Sequence, residues 1–110
     1  GPKHLYLKLT RAQFENLVKE YIQINTNEIS RLLKENLYYP RSARKRGITG
    51  KVVVRFILSV DARISNIEVL KSKSKILSRA AIKTIQNLSG EFPKPQEDIT
   101  LHVPIGYSLK

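Results

Sequence analysis

Lys51 to Val60 alternate in a way that leaves the chain little choice of conformation. Val52, Val54, Phe56, Leu58 and Val60 fall on one side, and Val53, Arg55, Ile57 and Ser59 on the other. A period of two is the signature of an extended strand. One side is wholly apolar and the other mixed, which calls for a sheet covered on one face and partly wet on the other. Such a strand needs neighbours. Asp61-Ala62 reads as a turn into a second strand, about Arg63 to Lys71, that includes Ile67 and Val69. A link this short makes the pair an antiparallel hairpin. Ile64 is out of step with Ile67 and Val69, which predicts a bulge near Ser65. A third strand, Ile99 to about Leu109, alternates Ile99, Leu101, Val103, Ile105 and Tyr107 with polar or small residues. Pro104 lies within it and cannot donate a ladder hydrogen bond, so this strand belongs on an edge. Residues 51–60, the most apolar, belong in the centre.

Two stretches switch to helical spacing. Residues 10–37 open with Thr10 and Gln13, a capping-box pair, and carry Phe14, Leu17, Val18, Tyr21 and Ile22 on one stripe. Asn25-Thr26-Asn27 interrupts the pattern before Ile29, Leu32 and Leu33 resume it, predicting two helices or one bent helix that ends before Pro40. Ser42 to Lys45 forms a short helical turn closed by Gly47. From Ser74 to Leu88, Leu77, Ala81, Ile85 and Leu88 share a face, with Lys75, Arg79, Lys83 and Gln86 towards water. Gly90 is placed to close that helix, and Phe92-Pro93-Lys94-Pro95 makes a stiff connector. The fold class is therefore α+β. It is a three-stranded antiparallel sheet in a β-β-α-β unit, with helices packed on one face and an N-terminal helical extension. Gly1-Pro2 (residues 1–2) reads as a tag remnant, residues 3–37 as the extension and residues 38–110 as the domain proper.

Composition narrows the function classes. With 110 residues and 41% apolar composition, the chain can bury one modest core, with no room for a deep catalytic cleft. No apolar run approaches the roughly 20 residues that cross a bilayer. The chain has no cysteine, which removes disulfides and thiolate chemistry. His4 and His102 stand far apart without carboxylate or cysteine partners, so no zinc site is expected. No nucleophile pattern or phosphate-cradling glycine loop occurs, which argues against an enzyme, and no cofactor is implied. The net charge of +11 points to an anionic environment or partner. Nucleic acid is the obvious rival, but Val53, Arg55 and Ile57 offer no aromatic for base stacking, and no nucleic acid is expected as a partner. Arg41, Arg44, Lys45, Arg46, Lys51 and Arg55 form a cluster with no acidic residue between Asn36 and Val60. It reads as a solvated face, or as a patch for an acidic surface or anionic cell-wall polymer such as peptidoglycan.

The ordered set Tyr39-Pro40, Ala43-Arg44, Gly47, Gly50 and Val52-Val53-Val54-Arg55-Phe56 resembles the TonB C-terminal domain family. The match continues through Asp61, Ile64, Asn66, Val69, Lys71-Ser72, Ala80-Ala81 and Phe92-Pro93 to Val103-Pro104-Ile105. A TolA-like envelope domain, similar in fold, is the neighbouring alternative. Ala62 stands where many members carry Gly, and alanine adopts positive φ reluctantly, so a tight turn and a longer loop both stay open. Leu88 stands where many carry Trp. The resemblance implies a periplasmic, non-enzymatic domain of a protein anchored in the inner membrane of a Gram-negative bacterium. It implies coupling, with ExbB- and ExbD-like proteins, of the proton-motive force to outer-membrane transporters that take up iron complexes or other scarce nutrients. The domain would grip a transporter's TonB box by strand pairing at the sheet edge, through Ile99, Thr100, Leu101, His102, Val103 and Ile105, with Thr100 and His102 backbone groups outward. Asn36, Leu37, Tyr38 and Tyr39 would help contact the box, with Tyr39 equally readable as core packing. Exposed edges also allow a strand-exchanged homodimer.

Overall fold

The computed structural model describes residues 9–109; Gly1-Pro2, His4, the first residues of the extension and Lys110 lie outside them. The elements run α1 (Arg11–Glu35), α2 (Arg41–Lys45), β1 (Gly50–Leu58), β2 (Ile64–Lys71), α3 (Lys75–Asn87) and β3 (Ile99–Tyr107). The sheet order is β2-β1-β3, both pairings antiparallel. The alternation of β1 explains its central place: Val52, Val54, Phe56 and Leu58 are fully buried, while Val53, Arg55 and Ile57 are half-covered on the opposite face. Ile99, Leu101, Val103, Ile105 and Tyr107 of β3 bury the same face. On that face α3 lies under β1 and β2, and α1 lies against β3.

The buried face of α3 is Leu77, Ala80, Ala81, Thr84 and Ile85, and Ser74 caps its start by accepting the Leu77 N–H at 3.2 Å. Two alanines in that stripe let the helix approach the sheet closely. Leu88 is fully buried, filling the end of the core with less area than an indole would. Burying a side chain of this size contributes about 1.5–3 kcal/mol, so the core rests chiefly on the two interdigitated apolar faces.

Of the two alternatives, α1 is a single helix of 25 residues, and the Thr10–Gln13 capping box is formed in both directions. Asn25 and Thr26 fail to break it because their side chains bond back to carbonyls one turn earlier, Asn25 Nδ2 to Tyr21 O at 2.9 Å and Thr26 Oγ1 to Ile22 O. Polar groups that compete with the helix in isolation are here absorbed by it. Tyr21 anchors α1 to the connector, its hydroxyl donating to Pro93 O at 2.7 Å.

The β1–β2 turn is tight even though Ala62 occupies it at φ 64°. Serine side chains and backbone bonds fix it from several sides. Ser59 Oγ accepts from Asp61 N and Arg63 N, Ser59 N donates to Arg63 O, and Gly90 N donates to Ala62 O at 2.7 Å. Surroundings that over-determine a left-handed residue sustain its strain, here about 1–2 kcal/mol for alanine. The bulge expected near Ser65 is present: Arg55 faces Glu68 but Ile57 faces Ser65, with Asn66 at φ 53°. A second irregularity that periodicity did not reveal lies between Val53–Lys71 and Val54–Val69. The strands also stop earlier than expected. Val60 lies past the end of β1, its N–H taken by Asp98 Oδ1 at 3.0 Å, and Leu109 lies past β3.

Candidate functional site

The outward side of β3 follows from the direction of two hydrogen bonds beyond the end of β1. Ser59 N–H points to the β2 side, meeting Arg63 O at 2.9 Å, while Val60 N–H points to the β3 side, meeting Asp98. Main-chain groups alternate sides along a strand, so Leu58, Phe56, Val54 and Val52 bond towards β3. Their partners Ile99, Leu101, Val103 and Ile105 then turn their N–H and C=O inward. Thr100, His102, Pro104 and Gly106 turn theirs away from the sheet. The parity agrees with Pro104, whose missing N–H costs no internal bond on that side. Among the described residues β3 has no strand beyond it.

The expected site residues thus divide. Thr100 and His102 present both main chain and exposed side chains to the open edge, whereas the side chains of Ile99, Leu101, Val103 and Ile105 are buried in the core. The segment Asn36–Tyr39 lies elsewhere, at the end of β3 where the chain reaches Tyr107. Asn36 caps α1 by donating to Leu32 O from both its N–H and its side-chain amide. Leu37 is half-buried against the core. Tyr38 N donates to Thr84 Oγ1 at 3.0 Å, and Lys83 Nζ sits 5.1 Å from its ring centre, leaving the ring partly exposed. Tyr39 is committed internally: its ring meets Tyr107 edge-on at 5.0 Å, and its hydroxyl donates to Ile48 O at 2.5 Å. Burial pushes the Tyr107 phenol above its ordinary pKa, partly offset by its contact with Thr84.

Sequence periodicity did not locate the wall of this edge. A hollow of ≈ 850 Å³ runs between β3 and α1, bounded by Phe14, Val18, Ile22, Ile99, Thr100 and His102. It continues as a hollow of ≈ 240 Å³ where Thr26, Ile29, Ser30 and Leu33 face Leu101, His102, Val103 and Pro104. Phe14 and Ile22 fell on the stripe expected to pack inward, yet each is 40% exposed. The available signal was length, since an apolar stripe running the whole of a 25-residue helix exceeds what a nine-residue strand can cover.

Arg41, Arg44, Lys45 and Arg46 are all exposed on and after α2. They sit in the loop leading to Gly50 and Lys51, which pair with Tyr107 and Gly106, at the C-terminal end of the open edge. The ion pairs among the described residues are Arg31 with Glu28 and Glu35, and Arg55 with Glu68, so Arg55 of the cluster is offset while Arg41, Arg44, Lys45 and Arg46 take part in none of these pairs. The Arg31 side chain bonded to Glu28 holds that carboxyl below its usual pKa. No group of three His, Cys, Asp or Glu able to hold a metal occurs among the described residues.

Residues 35–109 match the family model described as Gram-negative bacterial TonB protein C-terminal. The chain is 44% identical over 73 residues to a protein TonB of Helicobacter pylori, covering 66% of this chain and 26% of that protein. It is 35% identical over 83 residues to protein TonB of Campylobacter coli, covering 74% and 36%. The chain therefore spans only about a quarter to just over a third of these two relatives. In structure it superposes on a solution structure of the H. pylori TonB C-terminal domain with a TM-score of 0.70 at 31% identity, covering 94% of this chain and 98% of that one. A shorter piece of the same domain gives 0.68 at 38% identity, covering 77% and 94%. Coverage of 94% of 110 residues leaves too few unmatched to omit α1, so the long helix is shared with the longer relative.

Proposed function

Because this chain belongs to the family of Gram-negative bacterial TonB C-terminal domains, a family of energy transducers and not of enzymes, we propose that it grips outer-membrane transporters. The domain works in the periplasm. It captures the TonB box, a short extended segment near a transporter's N-terminus, by adding it as a fourth strand along β3. The protein that carries the domain is anchored in the inner membrane. With an ExbB/ExbD-type complex it draws on the proton-motive force, delivering the work as a pull that admits iron complexes or other scarce nutrients.

One observation carries this reading: β3 keeps an unbroken nine-residue register with β1 while, among the described residues, its other side faces no strand. An edge of that kind is a template for a guest chain. Thr100, His102 and Gly106 offer both N–H and C=O, and Pro104 offers only its C=O, so the guest's ladder lacks one bond. Bonds of about 1 kcal/mol each with some apolar contact sum to roughly micromolar affinity, weak enough to let go. A pull along the strand axis loads these bonds together. The basic cluster Arg41, Arg44, Lys45 and Arg46 supports an acidic surface, on a transporter or on peptidoglycan, meeting the far end of the edge.

The test is a titration of isotope-labelled protein with a peptide copied from the N-terminus of an outer-membrane transporter of the same bacterium. The amides of Thr100, His102 and Gly106 should shift most. Shifts confined to β2, or none at millimolar peptide, overturn the proposal.

A further inference from the structure

The open side of β3 is not a bare edge: α1 runs beside it from Ile99 to Pro104. A helix of 25 residues extends about 37 Å at 1.5 Å per residue, and nine strand residues extend about 30 Å. The two run in the same direction, since Phe14 and Val18 stand by Ile99 and Thr100 while Ile29 and Leu33 stand by Val103 and Pro104. Positions four apart on the helix form a ridge: Phe14, Val18, Ile22, Thr26 and Ser30. Its step is about 6 Å. Alternate residues of an extended chain repeat at about 6.6 Å. A strand laid on the outer side of β3 would set each side chain of one face against one member of this ridge, with only a slow drift of register.

Resting on the edge-pairing reading above, we infer that α1 is the second wall of the groove and reads the guest by its alternate side chains. The occupant is an extended peptide whose inward face is apolar opposite Phe14, Val18 and Ile22, and less strictly apolar opposite Thr26 and Ser30. Two features favour a strand over other apolar occupants. The floor is a row of main-chain donors and acceptors that only an extended backbone satisfies. The ridge also changes from Phe14, Val18 and Ile22 to Thr26 and Ser30, and the charged residues Arg11, Glu15, Lys19 and Asp98 line the first hollow and not the second, so the groove has a direction. The opposite face of the guest lies with the exposed side chains of Thr100 and His102 and meets water, leaving its residues free. Pairing supplies affinity without sequence information, and the helix supplies the selectivity.

The test uses two synthetic ten-residue peptides of equal composition, one alternating valine with serine and one with the valines in adjacent pairs. Calorimetric titration of the parent protein should favour the alternating peptide about fivefold or more. Replacing Phe14→Ser and Ile22→Ser together, both at half-exposed positions, should reduce that preference to less than about twofold. Ile24→Ser, at a position 79% exposed and away from the groove, should retain it. Thr26→Leu adds apolar surface at an exposed position and should tighten the alternating peptide severalfold. Equal binding of both peptides by the parent, a preference that survives in the double variant, or an unchanged affinity in folded Thr26→Leu protein overturns the inference. His102→Pro separates the two readings: it should weaken both peptides alike by removing an outward donor. Loss of preference in the double variant with undiminished binding to His102→Pro protein sinks strand pairing itself, whereas weakened binding to His102→Pro with preference intact in the double variant sinks the helical wall alone.

Discussion

The two outer strands pair with the same central strand, yet only one is kept fit for another chain. β2 is interrupted twice, once where Asn66 turns left-handed and once between the Val53–Lys71 and Val54–Val69 pairs. It carries Glu68 and Lys71 on exposed positions and is followed by Ser72-Lys73. Bulges and charges of this kind twist and blunt an edge against pairing. β3 pairs with β1 without a shift from Ile99 to Tyr107 and alternates buried and exposed residues throughout. Its single irregularity, Pro104, is turned outward, where its missing N–H removes no bond from the sheet. The contrast teaches that one edge is blunted in its own backbone and charge, while the other keeps a regular main chain and has only a helix beside it.

The largest effect expected from breaking this contrast comes from two prolines one residue apart. Val103 directs its N–H to Val54, so Val103→Pro removes an internal bond, leaves a carbonyl of the core unpaired and should destabilise the fold by about 3 kcal/mol. His102 directs its N–H away from the sheet, so His102→Pro should hold stability within about 1 kcal/mol while weakening peptide binding about tenfold or more. Urea denaturation beside peptide titration reads both quantities. Equal destabilisation by the two substitutions would show that the outward and inward sides of β3 have been assigned wrongly.

A smaller effect tests the blunted edge. Asn66 is exposed, so its left-handed backbone can be probed without disturbing the core. Asn66→Val should cost roughly 1–2 kcal/mol, because a β-branched residue resists positive φ, and Asn66→Gly should change stability by less than about 0.5 kcal/mol. If valine is accepted without loss in urea denaturation, the bulge is not held by the conformation of this residue, and the protection of β2 must come from its charges alone.

What the sequence disclosed and what it hid separate along physical lines. Alternation over β1 and β3, the Thr10–Gln13 box and the apolar face of α3 are local patterns that one tertiary arrangement satisfies, and these matched. Pro104 alone was enough to place β3 at an edge. Asn25-Thr26-Asn27 left one helix or two open because a side chain's choice between capping a new helix and bonding back into the existing one depends on whether the core holds that helix together. Ala62 kept a tight turn because Ser59 close by and Ser89 and Gly90, distant in sequence, bind the turn from both sides. The groove wall was hidden for a related reason. Periodicity marks which residues share a face of α1, but only packing decides that Val18 and Leu33 lie half-covered while Phe14 and Ile22 stay open.

The smallest effect concerns what holds that wall beside β3. Tyr21 is 6% exposed, and its hydroxyl reaches Pro93 O, in the connector that leads to the strand. Tyr21→Phe should cost about 1 kcal/mol, the net worth of such a bond, with the ring still packed. Burial pushes the phenol from 10.0 up to about 12, which fixes the sign of its pH dependence. A group whose folded pKa is raised stabilises the fold fully below its unfolded value, and that contribution is lost as pH rises through the folded value. The Tyr21 contribution should therefore be constant to about pH 9 and fall between pH 10 and 12, as a buried neutral phenol is asked to ionise. The measurement is the stability difference between parent and Tyr21→Phe proteins across pH 7 to 11.5, which cancels groups common to both. A difference that shrinks above pH 10 is expected. One that stays flat would mean the hydroxyl is freely hydrated, and that α1 is held to the connector by apolar packing alone.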